Sequence, residues 1–327
     1  MKSKGRLVSI AAIGAVAALS LSACASTDTA TSTGSSGDYK LSFIQGVAGD
    51  EFYISMQCGI EAEAKKLGVT VNTQGPAKFD PTLQKPIVDS VVASKPDAIL
   101  IAPTDVTAMQ APLNAAAEAG IEVVLVDTTV DDPSFATAQI SSDNNGGGKA
   151  AFDAIKQLNP DGGRVLVMAT DPGISTTDAR IAGFEGAIKD DSSFTYLGVQ
   201  YSHNDPAEAA KLMTAALAKD PDIVGVFATN LFAAEGTATG VRQAGAQDTV
   251  KIAGFDAGPA QVKAMKDGII QALVAQQPAL IGAEGVKAAV AALKGEPVEA
   301  KTQTGFQVLT IDNIDTDGAD YVYKSSC

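Results

Sequence analysis

The stretch AGDEFYISMQCG, residues 48–59, sets two acids, Asp50 and Glu51, against two aromatics, Phe52 and Tyr53, with Cys58 following in the same run. A carboxylate pair could do the acid/base work of a glycosidase. Carboxylates beside an aromatic face could equally grip a sugar, the ring covering C–H surface while the acids accept from hydroxyls. Asp127 and Asp256 add further acids. Other chemistries lack their parts. The chain has one histidine, His203, and no G-x-S-x-G, so a serine hydrolase has no elbow and no spare base. One histidine and scattered thiols make no ordinary zinc set. SDNNGGGKA (142–150) fails the phosphate-loop pattern at both ends, with Asp143 for the first glycine and Ala150 for the hydroxyl. It reads as a crossover whose glycines let the backbone turn before a helix. Glu51 by itself reads as a solvated charge at a helix start. Core packing is the default for either aromatic alone, and its place after a strand-end loop is what favours a ligand.

These residues need a scaffold. Short β-branched runs at 40–45, 69–73, 98–102, 122–127, 164–169, 196–201, 223–228, 250–255 and 270–275 alternate with alanine-rich stretches of helical period. Strand and helix in strict turn predict parallel sheets with helices on both faces, an α/β fold. In such sheets ligands bind beyond the carboxyl ends of the strands. The segments there are GVAGDEF, PTD, DTT, TDPGISTTDAR, SHND, TNLF, DAG and QQP, unusually polar as a set. Two series of such loops, each crowning its own sheet, predict a cleft between two lobes.

The first 24 residues carry Lys2, Lys4 and Arg6, then an apolar run, then Leu21-Ser22-Ala23-Cys24. That order is a secretory signal peptide, and its end resembles the bacterial lipobox, which makes Cys24 the expected lipidation site. Residues 25–38 lack the large apolar side chains that packing needs and read as a flexible tether. The formal net charge is −14, and loss of the cationic leader makes it more negative. Such a chain is a poor partner for nucleic acid or anionic lipid. About 290 residues remain, which predicts two lobes rather than one core. In an exported chain the remaining Cys58 and Cys327 are expected to pair as a disulfide; the alternative is a buried Cys58 and a free terminal thiol.

From about Lys40 to Thr310 the chain resembles the periplasmic sugar-binding proteins of the ribose-binding type, solute receptors of ABC importers that share the LacI-type core fold. The matching pieces include EFYISMQCGIEAEAKKLG, PDAILIAPTD, EVVLVDTT, QISSDNNGGGKAA, ARIAGF, DIVGVFATN, KIAGFDAGP and GIIQALVAQQPALIGAEGV. The resemblance implies two Rossmann-like lobes joined by a three-crossover hinge near Ser142, Gln276 and Gly305. Residues 39–142 with 277–305 would form the N-terminal lobe. Residues 143–276 with 306–315 would form the other, and 316–327 a tail returning to the first. Carried over by position, the ligand contacts fall on Phe52 and Tyr53 (stacking), Asp127 (hydroxyl acceptor), Arg180 (donor to a ring or anomeric oxygen), Asn230, Asp256 and Gln276. Three positions depart from ribose receptors: Thr128 replaces an arginine, Asp50 an asparagine, and Asn204 an aromatic. A cation and a stacking wall are lost and a carboxylate is gained, which favours a small neutral sugar or a polyol over a sugar acid or phosphate.

The expected protein is therefore an extracytoplasmic, lipid-anchored receptor, monomeric and without cofactor or metal. It would deliver its ligand to ABC permease subunits and their ATPase, touching the membrane only through its anchor. Alternatives are a sensing or autoinducer receptor using the same cleft and a carboxylate-dependent glycosidase. A repressor of the same core fold is disfavoured because leader and tether stand where a basic helix-turn-helix would be.

Overall fold

The computed structural model describes residues 38–327; the leader, Cys24 and the tether up to residue 37 lie outside them. The chain opens with strands β1 (Lys40–Ile44), β2 (Thr70–Gln74), β3 (Ala98–Ile101), β4 (Glu122–Val126) and β5 (Ala138–Ser142). Joined by β11 (Lys301–Thr304), they make a parallel sheet ordered β11-β5-β4-β3-β1-β2. Helices α1 (Glu51–Leu67) and α9 (Pro278–Leu293) cover one face, and α2 (Pro81–Ser94) and α3 (Gln110–Glu118) the other. Alternation along β3 feeds both sides. Leu100 packs among Met56, Ile60 and Val286, while Ile99 and Ile101 pack among Val88, Val91 and Leu113.

The second sheet holds β6 (Gly163–Ala169), β7 (Phe194–Tyr201), β8 (Ile223–Ala228), β9 (Lys251–Phe255), β10 (Ala272–Ala275) and β12 (Gln307–Leu309), ordered β12-β10-β9-β8-β6-β7. All its pairs are parallel except β10 with β12. Helices α4 (Asn144–Leu158) and α5 (Ser175–Ile188) bury Phe152, Ile155, Ile181 and Phe184 against Phe227 and Phe255 of the strands. On the opposite face lie α6 (Pro206–Lys219), α7 (Leu231–Gln243) and α8 (Pro259–Lys266). The fold class is the expected one, two parallel-dominated sheets with helices on both faces. The chain passes between the sheets from β5 through α4, from β10 through α9, and from β11 directly into β12.

Each expected strand has a counterpart, but β5, β11 and β12 carry too little signal to appear in the sequence reading. Strand β5 (AQISS) is buried at every second residue with polar side chains even on its buried side, β11 (KTQT) is a polar edge, and β12 spans three residues. Their partners, not their own side chains, make them strands.

The glycines of SDNNGGGKA serve a different purpose from the turn expected of them. Asp143 caps α4 by accepting from Gly146 N–H, and the glycines lie inside the helix with none at positive φ. A Cβ on Gly148 would strike the carbonyl of Arg180, and one on Gly183 of α5 would strike that of Asn145. The reciprocal glycines let α4 and α5 cross at backbone contact, which places Asn144 beside Arg180.

Candidate functional site

Two aspartates face each other from the two sheets, and both lobes build them in the same way. Asp127 follows β4 and Asp256 follows β9, each with a left-handed backbone (φ 65° and 76°). The Asp127 N–H bonds to Ile140 O (2.8 Å) and the Asp256 N–H to Val274 O (2.9 Å), tying each turn to the neighbouring strand. Non-glycine residues seldom adopt this conformation, and it persists where surrounding structure enforces it. Here it ends the strand while turning a carboxylate toward the space between the lobes.

Donors already in place fix both carboxylates. Tyr53 donates its hydroxyl to Asp127 Oδ2 (2.8 Å). On Asp256, Oδ2 accepts from Leu231 N–H (2.9 Å), and Oδ1 accepts from Gln276 Nε2 (2.7 Å) and from the Tyr323 hydroxyl (3.0 Å). Gln276 is itself held by Ser142, whose hydroxyl donates to its Oε1 (2.7 Å). Asp50 is the N-cap of α1, with Oδ1 accepting from Phe52 N–H (2.8 Å). One oxygen of Asp50 and one of Asp127 keep no protein partner among the described residues.

Arg180 supplies the cation. Its Nε donates to Asn144 Oδ1 (2.9 Å), its Nη1 donates to Thr229 O (2.8 Å), and its guanidinium carbon stands 3.7 Å from the centre of the Phe255 ring. Held on three sides, it presents its remaining N–H groups to the cleft. Asn230 caps α7 through Ala233 N–H and donates from Nδ2 to Asn204 Oδ1 (2.7 Å), leaving the Asn204 amide group as a donor.

These side chains line one cavity of about 40 Å³, with Asp50, Phe52, Tyr53, Asp127, Arg180, Asn204, Asn230, Asp256 and Gln276 on its walls. Thr128 is the exception among the residues singled out in the sequence. Its hydroxyl turns away to donate to Pro103 O (2.7 Å), so it supports the loop rather than the wall. The sequence reading missed Phe79, Thr170, Ile174, Thr176 and Thr177, which complete the lining. Thr170 and Ile174 to Thr177 belong to the TDPGISTTDAR segment already flagged as a strand-end loop, and Phe79 lies in the loop after β2, a strand end the sequence reading passed over. Phe52 and Tyr53 meet edge to face, 5.1 Å between centroids. Tyr53 lies over Gly46, where a Cβ would strike its hydroxyl, and the bare glycine leaves room for that hydroxyl to reach Asp127.

Burial dominates the electrostatics. It raises the Asp127 carboxyl to about 6 against the opposing pull of Arg180 and the Tyr53 hydroxyl. Burial, with Asp256 nearby, raises Asp50 well above the usual carboxylate range. Three carboxylates and one guanidinium around a small cleft suit a partner that donates hydrogen bonds. The lobes also touch directly: Val106 N–H donates to Gly173 O (3.0 Å) and Thr129 N–H to Ser175 Oγ (2.9 Å). Among the described residues no cluster of metal-ligating side chains occurs.

Paired parallel sheets, three chain crossings and a buried polar cleft between them define a two-lobed solute-binding protein. The family model "Periplasmic binding protein domain" matches residues 41–297, and the chain belongs to that family, in its ribose-binding branch. It is 34% identical over 253 residues to the ribose import binding protein RbsB of Salmonella typhimurium, covering 76% of this chain and 83% of that protein. An ABC transporter solute-binding protein from Agrobacterium vitis, solved with bound α-D-tagatopyranose, is 40% identical with a TM-score of 0.86, covering 88% of this chain and 99% of the other. Another from Bacillus halodurans, solved with bound myo-inositol, is 28% identical with a TM-score of 0.80, covering 88% and 100%.

Proposed function

We propose that this protein is the extracytoplasmic receptor of an ABC importer and that it binds a small neutral sugar or sugar alcohol in the cleft between its lobes. The observation that carries the reading is the wall made by Asp50, Asp127 and Asp256 with Arg180, buried beside Phe52 and Phe79. Free carboxylate oxygens accept from hydroxyls, Arg180 and Asn204 donate to ring or hydroxyl oxygens, and the aromatic rings cover C–H faces. Hydrogen bonds to charged groups contribute roughly 1.5–3 kcal/mol each. A phosphate or carboxylate ligand would meet uncompensated negative charge. The sugars held by the A. vitis and B. halodurans proteins, a ketohexose and a cyclic polyol, are of the proposed chemical class.

The same geometry favours a receptor over a glycosidase. Asp256 has both oxygens engaged by fixed donors and Asp127 one, the arrangement of positioned acceptors rather than of a free nucleophile and acid. Residues 39–142 with 277–305 and 143–276 with 306–315 are taken as the moving lobes, and residues 316–327 as a tail stapled to the first by Cys58 and Cys327. Hinge closure about the crossings then buries the ligand, and the closed monomer is presented to permease subunits. Cys24 is taken as the acylated residue that anchors the protein to the membrane.

Calorimetry of the purified protein against pentoses, hexoses, inositols and linear polyols tests the ligand class. Saturable binding of at least one is expected; binding of none, with binding of an amino acid or peptide, would sink the reading. Mass spectrometry of membrane-extracted protein tests the anchor, since a diacylglyceryl adduct should vanish in Cys24→Ala.

A further inference from the structure

The tail beyond the last strand reaches both lobes. Cys327 is disulfide-bonded to Cys58 on α1, and Lys324 N–H donates to Ser55 Oγ of the same helix (2.7 Å). One residue earlier the chain changes partners: Tyr323 N–H donates to Ala257 O (2.9 Å), beside Asp256 in the second sheet's loops. Tyr323 is buried, 4% exposed. Its ring lies 5.9 Å from that of Phe52, and its hydroxyl accepts from Gln276 N–H (3.1 Å) while donating to Asp256 Oδ1 (3.0 Å).

We propose that Tyr323 is a positioning residue of the ligand cleft, delivered by the C-terminal tail to hold the Asp256 carboxylate and so set which lone pairs remain for ligand. Tyr323 is not on the cleft wall, whereas Asp256, Gln276 and Phe52 are. It therefore acts through them. A phenol that takes one N–H and gives one O–H can stand only where acceptor and donor are both fixed, and the hinge residue Gln276 supplies the second fixed point. With Gln276 Nε2 also on Oδ1 and Leu231 N–H on Oδ2, the carboxylate cannot rotate without breaking three hydrogen bonds, so the lone pair that Leu231 leaves on Oδ2 keeps a constant direction.

The inference rests on the sugar-cleft reading for what Asp256 does, but the contact itself is testable without a ligand. Tyr323→Phe keeps the ring and removes only the hydroxyl. In the full chain labelled with ¹³C at aspartate side chains, the Asp256 carboxyl resonance, assigned by its loss in Asp256→Asn, should shift at neutral pH in Tyr323→Phe. The Asp127 resonance should stay in place. With D-tagatose, D-ribose and myo-inositol as probes, whichever the wild type binds should bind Tyr323→Phe roughly 3- to 10-fold more weakly, the loss expected of one hydrogen bond acting at second hand. In an Asp256→Asn background the same change should cost nothing further. An unmoved Asp256 resonance would overturn the proposal whether or not any probe binds. Failure of every probe with a shifted resonance would leave Tyr323 holding Asp256 and count against the sugar reading alone.

Discussion

The Tyr53 hydroxyl donates to Asp127 Oδ2 at 2.8 Å, both residues buried, one at the start of α1 and the other at the end of β4. Through this contact the aromatic of the opening DEFY run governs the acid that follows the fourth strand. Tyr53→Phe should leave Asp127 with one donor fewer in a buried place, a loss of about 1–3 kcal/mol at neutral pH. Denaturant unfolding should show that loss, and calorimetry should show weaker sugar binding.

Acid pH should separate folding from binding. Burial raises Asp127 to about 6 in the folded protein from the 3.8 of an ordinary aspartate. Between those values the folded state holds a proton that the unfolded chain has released, so Asp127 favours folding most at the acid end and loses that contribution as pH rises through 6. Glu235, raised to about 7 by burial and then by Glu51, acts in the same direction. Sugar hydroxyls donating to Asp127 favour its ionised form, so affinity should instead fall as pH drops from about 7 to 5, by up to about tenfold per unit below 6. Calorimetry in buffers of differing ionisation enthalpy should detect proton release at pH 5.5.

Replacing Gly148 tests the close crossing of α4 and α5. Its Cβ would strike the Arg180 carbonyl, so Gly148→Ala should force the helices apart, destabilise by about 1–3 kcal/mol, and weaken binding by displacing the guanidinium from Asn144 and Thr229. An alanine variant that melts and binds as wild type would show the crossing to be slack.

Closure has its own contacts. Ser175→Ala removes the acceptor of Thr129 N–H across the lobes without touching the carboxylates or Arg180. Stopped-flow release of a bound sugar should become about 2- to 10-fold faster, the equivalent of about 0.5–1.5 kcal/mol, with an association rate near that of wild type.

The bridge between Cys58 and Cys327 joins residues 269 apart in sequence. Its removal in a Cys58→Ser, Cys327→Ser variant should cost about 2–5 kcal/mol. Hydrogen exchange should quicken first at residues 322–327, Tyr323 N–H among them.

Much of this protein is readable along the chain. The alternation of β-branched runs with helical stretches sets two parallel-sheet lobes because each buried strand needs apolar residues on both faces, as β3 has. Polar residues crowd the loops after those strands, and the acids and amides found there do converge on one cavity. Strands β5, β11 and β12 are not readable, since each is defined by the partner it pairs with. Nor is the direction of Thr128, whose hydroxyl could have faced the cleft until Pro103 claimed it. The glycines of α4 look like a turn in sequence and serve a helix crossing in space, because close approach depends on a second helix that is distant along the chain. Tyr323 is the clearest case: a tyrosine four positions before Cys327 carries no local signal. Local pattern determines which residues stand at strand ends. Only the packing of the tail between α1 and the loops of the second sheet decides that its phenol meets Asp256, because that contact joins residues 67 apart in the chain.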